Sequence, residues 1–240
     1  MSEPARNWTH IRENFEAVRA RIAAAARRAG RGSPDAITLI AVSKTHSAEA
    51  IRAAHEAGIR HFGENRVQEW EGKREGARDL DATWHLIGHL QSNKAARAAK
   101  VFDCVDSVDD FALAQRLDRA REELNIATPL RVLIEVQLAR EEAKSGVEAS
   151  AVAAQVEKID GLKHLDLAGL MCIPPFGGNP EDARPFFRQM RELRDNVRRQ
   201  TGHDLPVLSM GMSHDFEVAI EEGATEVRVG TALFGPRVKK

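Results

Sequence analysis

The sequence lacks the marks of several large classes of protein. It contains no tyrosine and only two cysteines, Cys104 and Cys172. Two cysteines are too few for a disulfide framework or a cysteine metal cage, so we expect both to be reduced thiols. No apolar run approaches the length of a membrane-spanning helix, and the opening stretch MSEPARNWTHIRENF has no apolar signal-peptide core. We therefore expect a cytoplasmic protein.

An excess of charge of one sign is also lacking. The formal net charge is −1 and the basic residues are scattered, so we expect neither nucleic acid nor an anionic membrane as a partner. Hydrophobic residues make up 42% and charged residues 30% of the chain, which is ordinary for a globular protein with a large core. Because no shift in composition divides the chain, residues 1–240 are expected to form a single domain.

Strand-like runs alternate with helix-like segments from residue 37 onward. The eight strand-like runs are ITLIAV, RHFG, TWHLIG, VFDCVDS, RVLIEVQ, LDLAGLM, PVLSMG and EVRVG. The segments between them have helical periodicity, and several begin with a Ser or Asp suited to an N-cap. Eight strand–helix units predict an α/β protein built as one closed (β/α)8 TIM barrel, with an open doubly wound sheet as the alternative.

An extra helix is predicted ahead of this repeat. Between about residues 5 and 28, apolar residues recur at spacings of three and four, and a glycine follows: Ile11, Phe15, Val18, Ile22 and Gly30. We expect residues 1–32 to pack this helix on the barrel. The segment RPFFRQMRELRDNVRRQ has apolar residues at helical spacing and is expected to cover the barrel with a solvated face outward, whereas IPPFGGNP is expected to be a mobile loop.

Lys44 is the first candidate for chemistry. In a (β/α)8 barrel the functional groups gather at the carboxyl ends of the strands, and Lys44 follows the first apolar strand. A desolvated ammonium has a lowered pKa, which frees the amine to attack a carbonyl. The position fits a lysine that forms a Schiff base. On spacing alone, an exposed lysine at the start of a loop is an equally good interpretation. Lys94 and Lys144 lie in polar loops near the predicted barrel top, where we expect them to be better solvated and less nucleophilic.

Two loops have the composition of a phosphate site. SMGMS follows the seventh strand and GTALFG the eighth, and both bring small residues and backbone N–H groups to the start of a helix. These loops are the usual phosphate site of the fold, although ordinary turns with glycine are the alternative. Arg228 lies in the eighth strand between Val227 and Val229, so we expect its guanidinium inside the barrel. Its partner would be a carboxylate such as Glu135, or the nitrogen of a cofactor ring.

At this point the sequence resembles a known family over nearly its whole length. The motifs are AVSKTH, HFGENRVQE, WHLIGHLQSNK, the KSG of EEAKSG, LAGLMCIP and LSMGMSHDFEVAIEEGATEVRVGTALFG, in this order and spacing. They resemble the pyridoxal phosphate homeostasis proteins, also called the YggS/PROSC-type proteins. The resemblance implies a barrel similar to the N-terminal domain of alanine racemase, a monomer, and a cytoplasmic protein that holds pyridoxal 5'-phosphate (PLP) without ordinary catalysis and supplies it to apo-enzymes.

The resemblance also implies roles for individual residues. Lys44 would form the Schiff base, Arg228 would face the pyridine nitrogen, and Asn65 would lie beside the phenolic oxygen. The residues implied around the phosphate are Ser209, Met210, Gly211, Gly230 and Thr231.

Two enzymatic alternatives stay open. Two-base racemases of the alanine racemase kind use a tyrosine and a separate β-domain, and this sequence has no tyrosine and leaves no residues for that domain. A slow racemase with His89 or Cys172 as proton carrier is still possible, as is a Schiff-base aldolase that acts on a sugar phosphate without a cofactor. We expect no metal, because His85 and His89 would be about 13 Å apart on a strand. His203 and His214 are expected at the surface or at helix caps.

Overall fold

The computed structural model describes residues 8–139 and 145–236, in which strands and helices alternate. The strands are β1 (Thr38–Val42), β2 (His61–Glu64), β3 (Thr83–Leu86), β4 (Cys104–Val108), β5 (Leu130–Gln137), β6 (Val147–Glu148), β7 (Leu165–Met171), β8 (Val207–Met212) and β9 (Glu226–Val229). The α-helices are α1 (Thr9–Arg28), α2 (Ala48–Glu56), α3 (Val67–Arg74), α4 (Ala95–Val101), α5 (Phe111–Glu123), α6 (Val152–Asp160), α7 (Arg184–Thr201), α8 (Phe216–Glu221) and α9 (Thr231–Phe234).

Eight of the strands close into a parallel barrel. Neighbours pair in the order β4, β3, β2, β1, β9, β8, β7, β5, and a pairing between β4 and β5 completes the circle. The predicted (β/α)8 barrel is confirmed and the open sheet is wrong, because β9 pairs directly with β1. The two-residue strand β6, which the sequence did not predict, pairs with the end of β5 outside this circle.

The predicted N-terminal helix is α1, and it packs on the barrel as expected. Its apolar stripe is buried: Ile11, Phe15, Val18 and Ile22. Arg21 and Arg28 form ion pairs with Glu217 and Glu221 of α8, at 2.6 Å and 2.7 Å. Residues 5–7 of the predicted helix lie outside the described residues. The helix ends at Arg28, and Gly30 follows with φ of 63°.

Most of the core lies between the barrel and the surrounding helices. Trp70 of α3 stacks on Trp84 of β3 with 3.8 Å between ring centroids. The arginine-rich segment forms α7 and covers the barrel as predicted, with Phe187, Met190 and Val197 buried. Among the described residues, no helix combines the length and the apolar character that a bilayer crossing requires. The mobility predicted for IPPFGGNP stays a prediction.

Candidate functional site

Lys44 lies at the carboxyl end of the barrel, in the turn after β1. The strand ends at Val42, so Ser43 separates the lysine from the last strand residue. The turn therefore directs the side chain of Lys44. Lys44 is half-buried, and the next residue, Thr45, has φ of 67°. Residues other than glycine seldom adopt this left-handed conformation, so the turn needs support from its surroundings.

Helix α3 supplies that support. The ammonium of Lys73 donates a hydrogen bond of 2.9 Å to the backbone carbonyl of Ser43. The Glu69 carboxylate accepts a hydrogen bond from the backbone N–H of Thr45. The residues on both sides of Lys44 are thus tied to α3, so the turn cannot relax without breaking these contacts.

A buried carboxylate anchors Lys73 in turn. Lys73 Nζ lies 2.7 Å from Oε1 of Glu64, a fully buried residue at the end of β2. The hydroxyl of Ser43 donates to the same oxygen at 2.5 Å. Burial raises the pKa of Glu64, although the neighbouring Lys73 ammonium opposes this rise. Glu64 and Lys73 are supporting residues that the sequence prediction missed, because their contacts depend on how α3 packs beside the turn after β1.

Arg228 lies inside the barrel, as predicted. Val227 and Val229 pack in the core outside the sheet, so the side chain between them faces inward. Arg228 is 3% exposed, and its Nη1 and Nη2 donate hydrogen bonds of 2.8 Å to Ser209 Oγ and to the carbonyl of Cys172. These two acceptors, neither of which was predicted as its partner, fix the plane of the guanidinium at the carboxyl end of the barrel.

The two loops predicted to hold a phosphate are joined by Ser213. Its hydroxyl accepts hydrogen bonds from the backbone N–H groups of Gly230 at 3.1 Å and of Ala232 at 3.4 Å. Gly211 has φ of 93°, and a Cβ atom there would lie 2.6 Å from the Cβ of Ala219. Glycine is therefore required at this position. Ser213 has the chemistry of a phosphate-site residue and was not among the predicted ones.

The other residues predicted around the phosphate differ in whether the side chain or only the backbone can contact a ligand. Ser209 turns its hydroxyl to Arg228 inside the barrel, whereas the side chain of Met210 packs in the core outside the sheet. Only the backbone of Met210 is left to contact a ligand. Thr231 is exposed at the start of α9. Two other lysines were predicted near the barrel top. Lys94 is half-buried in a short 3-10 helix, and Lys144 lies outside the described residues.

A cavity of about 280 Å³ opens at this end of the barrel. Asn65, His89, Glu135 and Ile173 contribute to its wall. The side-chain oxygen of Asn65 is buried and has no hydrogen-bond partner within residues 8–139 and 145–236. A buried polar atom without a partner needs an explanation, and a polar group of a ligand is one. A larger cavity, of about 610 Å³, lies at the opposite end near α1, and none of the predicted site residues line it.

Burial affects the protonation of several groups at the carboxyl end of the barrel, where the 280 Å³ cavity opens. We call this end the mouth of the barrel. It raises the pKa of Glu135 to about 7, with help from Asp109 and against the attraction of Arg228. It also raises the pKa of the Cys172 thiol to about 12. His89 is largely exposed, and its Nδ1 lies 3.0 Å from the Asp109 carboxylate. Glu135 is therefore a carboxyl group at the mouth that titrates near neutral pH.

Comparison with known proteins places the chain in a family. The alanine racemase N-terminal domain family matches residues 13–238. A pyridoxal phosphate homeostasis protein of Aquifex aeolicus is 47% identical over 225 residues, which cover 94% of this chain and 97% of the relative. This chain belongs to the pyridoxal phosphate homeostasis proteins. The member from Escherichia coli K12 is 43% identical over 233 residues and is covered to 97%.

Solved structures of this family have the same fold. PipY of Synechococcus elongatus, solved without PLP, matches with a TM-score of 0.84 and 41% identity, over 94% of this chain and all of that one. A second structure of PipY, solved with PLP bound, matches with a TM-score of 0.83 at the same identity and coverage. The alanine racemase of Clostridium difficile shares the fold alone, with a TM-score of 0.74 at 12% identity, and this homeostasis protein spans 58% of its length.

Proposed function

We propose that this chain binds PLP as a Schiff base on Lys44 and holds it for supply to apo-enzymes, acting as a cytoplasmic, monomeric carrier rather than as a catalyst. The observation that carries the proposal is the supported turn of Lys44 at the same barrel mouth as the fixed guanidinium of Arg228. A relative of 41% identity has been solved with PLP bound. The chemistry of the residues and the family therefore support the same ligand.

The residues present fit the polar groups of PLP. The partnerless oxygen of Asn65 marks an amide whose nitrogen and oxygen are interchangeable by rotation, so the amide could donate to a phenolic oxygen. Gly230 and Ala232 direct backbone N–H groups toward Ser213, where a phosphate oxygen could share or replace the hydroxyl as acceptor. The guanidinium of Arg228 has hydrogen-bond donors and no acceptor, so it could donate to an unprotonated pyridine nitrogen. Each polar part of the cofactor thus has a complementary group at the mouth.

When bound, PLP would supply an aldehyde that forms a Schiff base with the amine of Lys44. The protein's part is to hold that amine in place through Ser43 and Thr45, and to keep an always-donating group opposite the ring nitrogen through Arg228. A donor at that nitrogen leaves it unprotonated, which weakens the ring as an electron sink. This favours storage over amino-acid chemistry.

Neither alternative proton carrier is well suited to racemisation. Burial raises the pKa of Cys172 to about 12, so this thiol is a poor base at neutral pH. The side chain of His89 is 54% exposed and contacts Asp109, so water competes for its protons. We therefore propose a holding site, and the experiments below include racemisation as an outcome.

Borohydride reduction tests the proposed binding. The full chain is incubated with PLP and reduced, and the modified lysine is located by mass spectrometry. We expect the pyridoxyl-phosphate group on Lys44, with loss of the adduct in Lys44→Ala and no change in the matched variant Lys94→Ala. An adduct on another lysine, or none at all, would overturn the proposal.

Proton exchange tests the absence of catalysis. The PLP-loaded protein is incubated with single L-amino acids in deuterated water, and exchange at the α-carbon is followed by NMR. A carrier is expected to exchange no faster than free PLP at the same concentration. Rapid turnover that is lost in Lys44→Ala would replace the carrier with a racemase. Transfer is measured separately, as the rate at which an apo-enzyme gains activity from loaded protein.

A further inference from the structure

Three residues with metal-binding side chains meet inside the barrel, away from the mouth. His85 of β3 and Cys104 and Asp106 of β4 each offer a ligand atom, and these atoms lie within 4.8 Å of one another. The pairing of β3 with β4 places the Cα atom of His85 opposite that of Cys104. All three residues are buried, with at most 2% exposure. A nitrogen, a thiol and a carboxylate form a donor set that suits Zn²⁺.

The hydrogen bonding of this cluster is incomplete. Asp106 Oδ2 lies 3.0 Å from Nδ1 of His85, whereas Asp106 Oδ1 is buried without a hydrogen-bond partner in the part of the chain that the structure describes. A buried carboxylate oxygen without a partner is costly in a protein interior. A cation that binds the carboxylate would remove that cost.

A neighbouring histidine fixes the orientation of His85. Nδ1 of His61 lies 3.1 Å from Nε2 of His85. Within this contact, Nε2–H of His85 can donate to Nδ1 of His61. This arrangement leaves Nδ1 of His85 as the ligand nitrogen, on the side of Asp106. A second group that holds the other ring nitrogen is a common feature of metal-binding histidines.

The charges around the cluster also permit a dication. Arg131 Nη1 lies 3.7 Å from Cys104 Sγ, and the positive charge of Arg131 is compensated by its ion pair of 2.5 Å with Glu226. Zn²⁺ would bind neutral His85, the thiolate of Cys104 and the carboxylate of Asp106. The two anionic ligands, Cys104 and Asp106, would balance the charge of the ion.

We propose that His85, Cys104 and Asp106 form a three-ligand site for a divalent transition metal, Zn²⁺ in the first instance, in the barrel interior. The prediction that the chain has no metal rested on the small number of cysteines and on the spacing of histidines, cysteines and carboxylates along the sequence. That spacing does not reveal that His85 and Cys104 lie opposite each other on paired strands. The site is separate from Lys44 and does not depend on the proposed binding of PLP.

Cobalt spectroscopy and metal analysis test this site. The full chain, purified without a metal-affinity tag from cells grown with added zinc, is analysed for metal by mass spectrometry. A second sample is unfolded and refolded with Co²⁺, because the three ligand residues are buried in the folded chain. We expect stoichiometric zinc in the first sample and a thiolate-to-cobalt charge-transfer band in the near ultraviolet in the second.

The two cysteines provide a matched pair of variants. Cys104→Ser is expected to lose both the zinc and the cobalt band, whereas Cys172→Ser keeps them. Far-ultraviolet circular dichroism establishes that each variant is folded. A metal-free native chain that also refolds to normal circular dichroism with no cobalt band would overturn the proposal. A cobalt band of full intensity in folded Cys104→Ser would overturn it as well.

Discussion

The ammonium of Lys73 donates a hydrogen bond of 2.9 Å to the backbone carbonyl of Ser43, the residue directly before Lys44. The same ammonium forms a buried ion pair with Glu64. A residue on α3 thereby holds the segment that presents Lys44, and it contacts that segment from 30 residues away along the chain. Changes at Lys73 should therefore affect both the stability of the fold and the chemistry of Lys44.

Replacing Lys73 with methionine is expected to lower the free energy of unfolding by about 3 kcal/mol. The substitution leaves the Glu64 carboxylate buried without its cation, and breaking a buried pair on one side is costly. Urea unfolding measures the loss. The matched control is Arg74→Met, an exposed position on the same helix that should change little.

A double variant separates the role of Lys73 in positioning Lys44 from its role in the stability of the fold. In Lys73→Met/Glu64→Gln the uncompensated charge is gone, so stability should largely return, but the Ser43 carbonyl still lacks its donor. We expect the double variant to form the PLP adduct more slowly than the wild type, as followed by absorbance after mixing. An adduct formed at the wild-type rate would show that Lys73 does not position Lys44.

Replacing Gly211 with alanine should destabilise the protein more than the same change at Gly202. Both glycines have positive φ, 93° and 77°, and this conformation alone costs an alanine about 1 kcal/mol. A Cβ atom at Gly202 meets nothing within 4 Å, whereas at Gly211 it would meet Ala219 at 2.6 Å and Phe216 at 2.9 Å. We expect about 3 kcal/mol for Gly211→Ala from thermal unfolding. Equal losses at the two sites would contradict the packing argument.

Glu135 should make the stability of the PLP-free protein depend on pH. Burial raises its pKa from 4.5 to about 7. Because the folded state holds this proton more tightly than the unfolded state, the stabilisation is fully present below about pH 4.5 and is lost as the pH rises through 7. Between pH 4.5 and pH 7 the free energy of unfolding of the wild type should fall by about 3 kcal/mol more than that of Glu135→Gln. Urea unfolding at a series of pH values measures the difference, and Glu148→Gln, an exposed position, should show none.

Replacing Arg228 with lysine should weaken both the fold and PLP binding. An ammonium on a lysine stem cannot reproduce the two hydrogen bonds that the planar guanidinium makes to Ser209 and to the Cys172 carbonyl. We expect a loss of about 2 kcal/mol in unfolding free energy, from one buried acceptor left without a donor. Arg188→Lys, an exposed position on α7, serves as the control. PLP affinity that equals the wild type would argue against Arg228 as part of the site.

Features that depend on local periodicity could be predicted from the sequence. The alternation of Val227, Arg228 and Val229 along one strand placed the arginine inside the barrel, because side chains on a strand alternate between its faces. The stripe from Ile11 to Ile22 likewise identified the buried face of α1. In both cases the informative residues are neighbours on one element, so no knowledge of the packing is needed.

Features that depend on the register between elements could not be predicted in this way. His85 and Cys104 are opposite each other because β3 pairs with β4 in one particular register. Lys73 reaches Ser43 only because α3 packs with that side chain directed to the turn after β1. The two-residue strand β6 is too short to carry a periodic signal. A single sequence does not specify such relationships, since each is set by the assembled barrel.

The position of α1 constrains the order in which the chain can fold. Asn14 donates a hydrogen bond of 2.8 Å to the backbone carbonyl of Leu233, across 219 residues of sequence. Helix α1 contacts α8 and α9, which are among the last of the described elements to be synthesised, as well as α2. During synthesis the contacts with α8 and α9 cannot form until those helices emerge, and contacts of such long range are slow to form. The final docking of α1 is therefore expected to be a late step in the folding of the barrel.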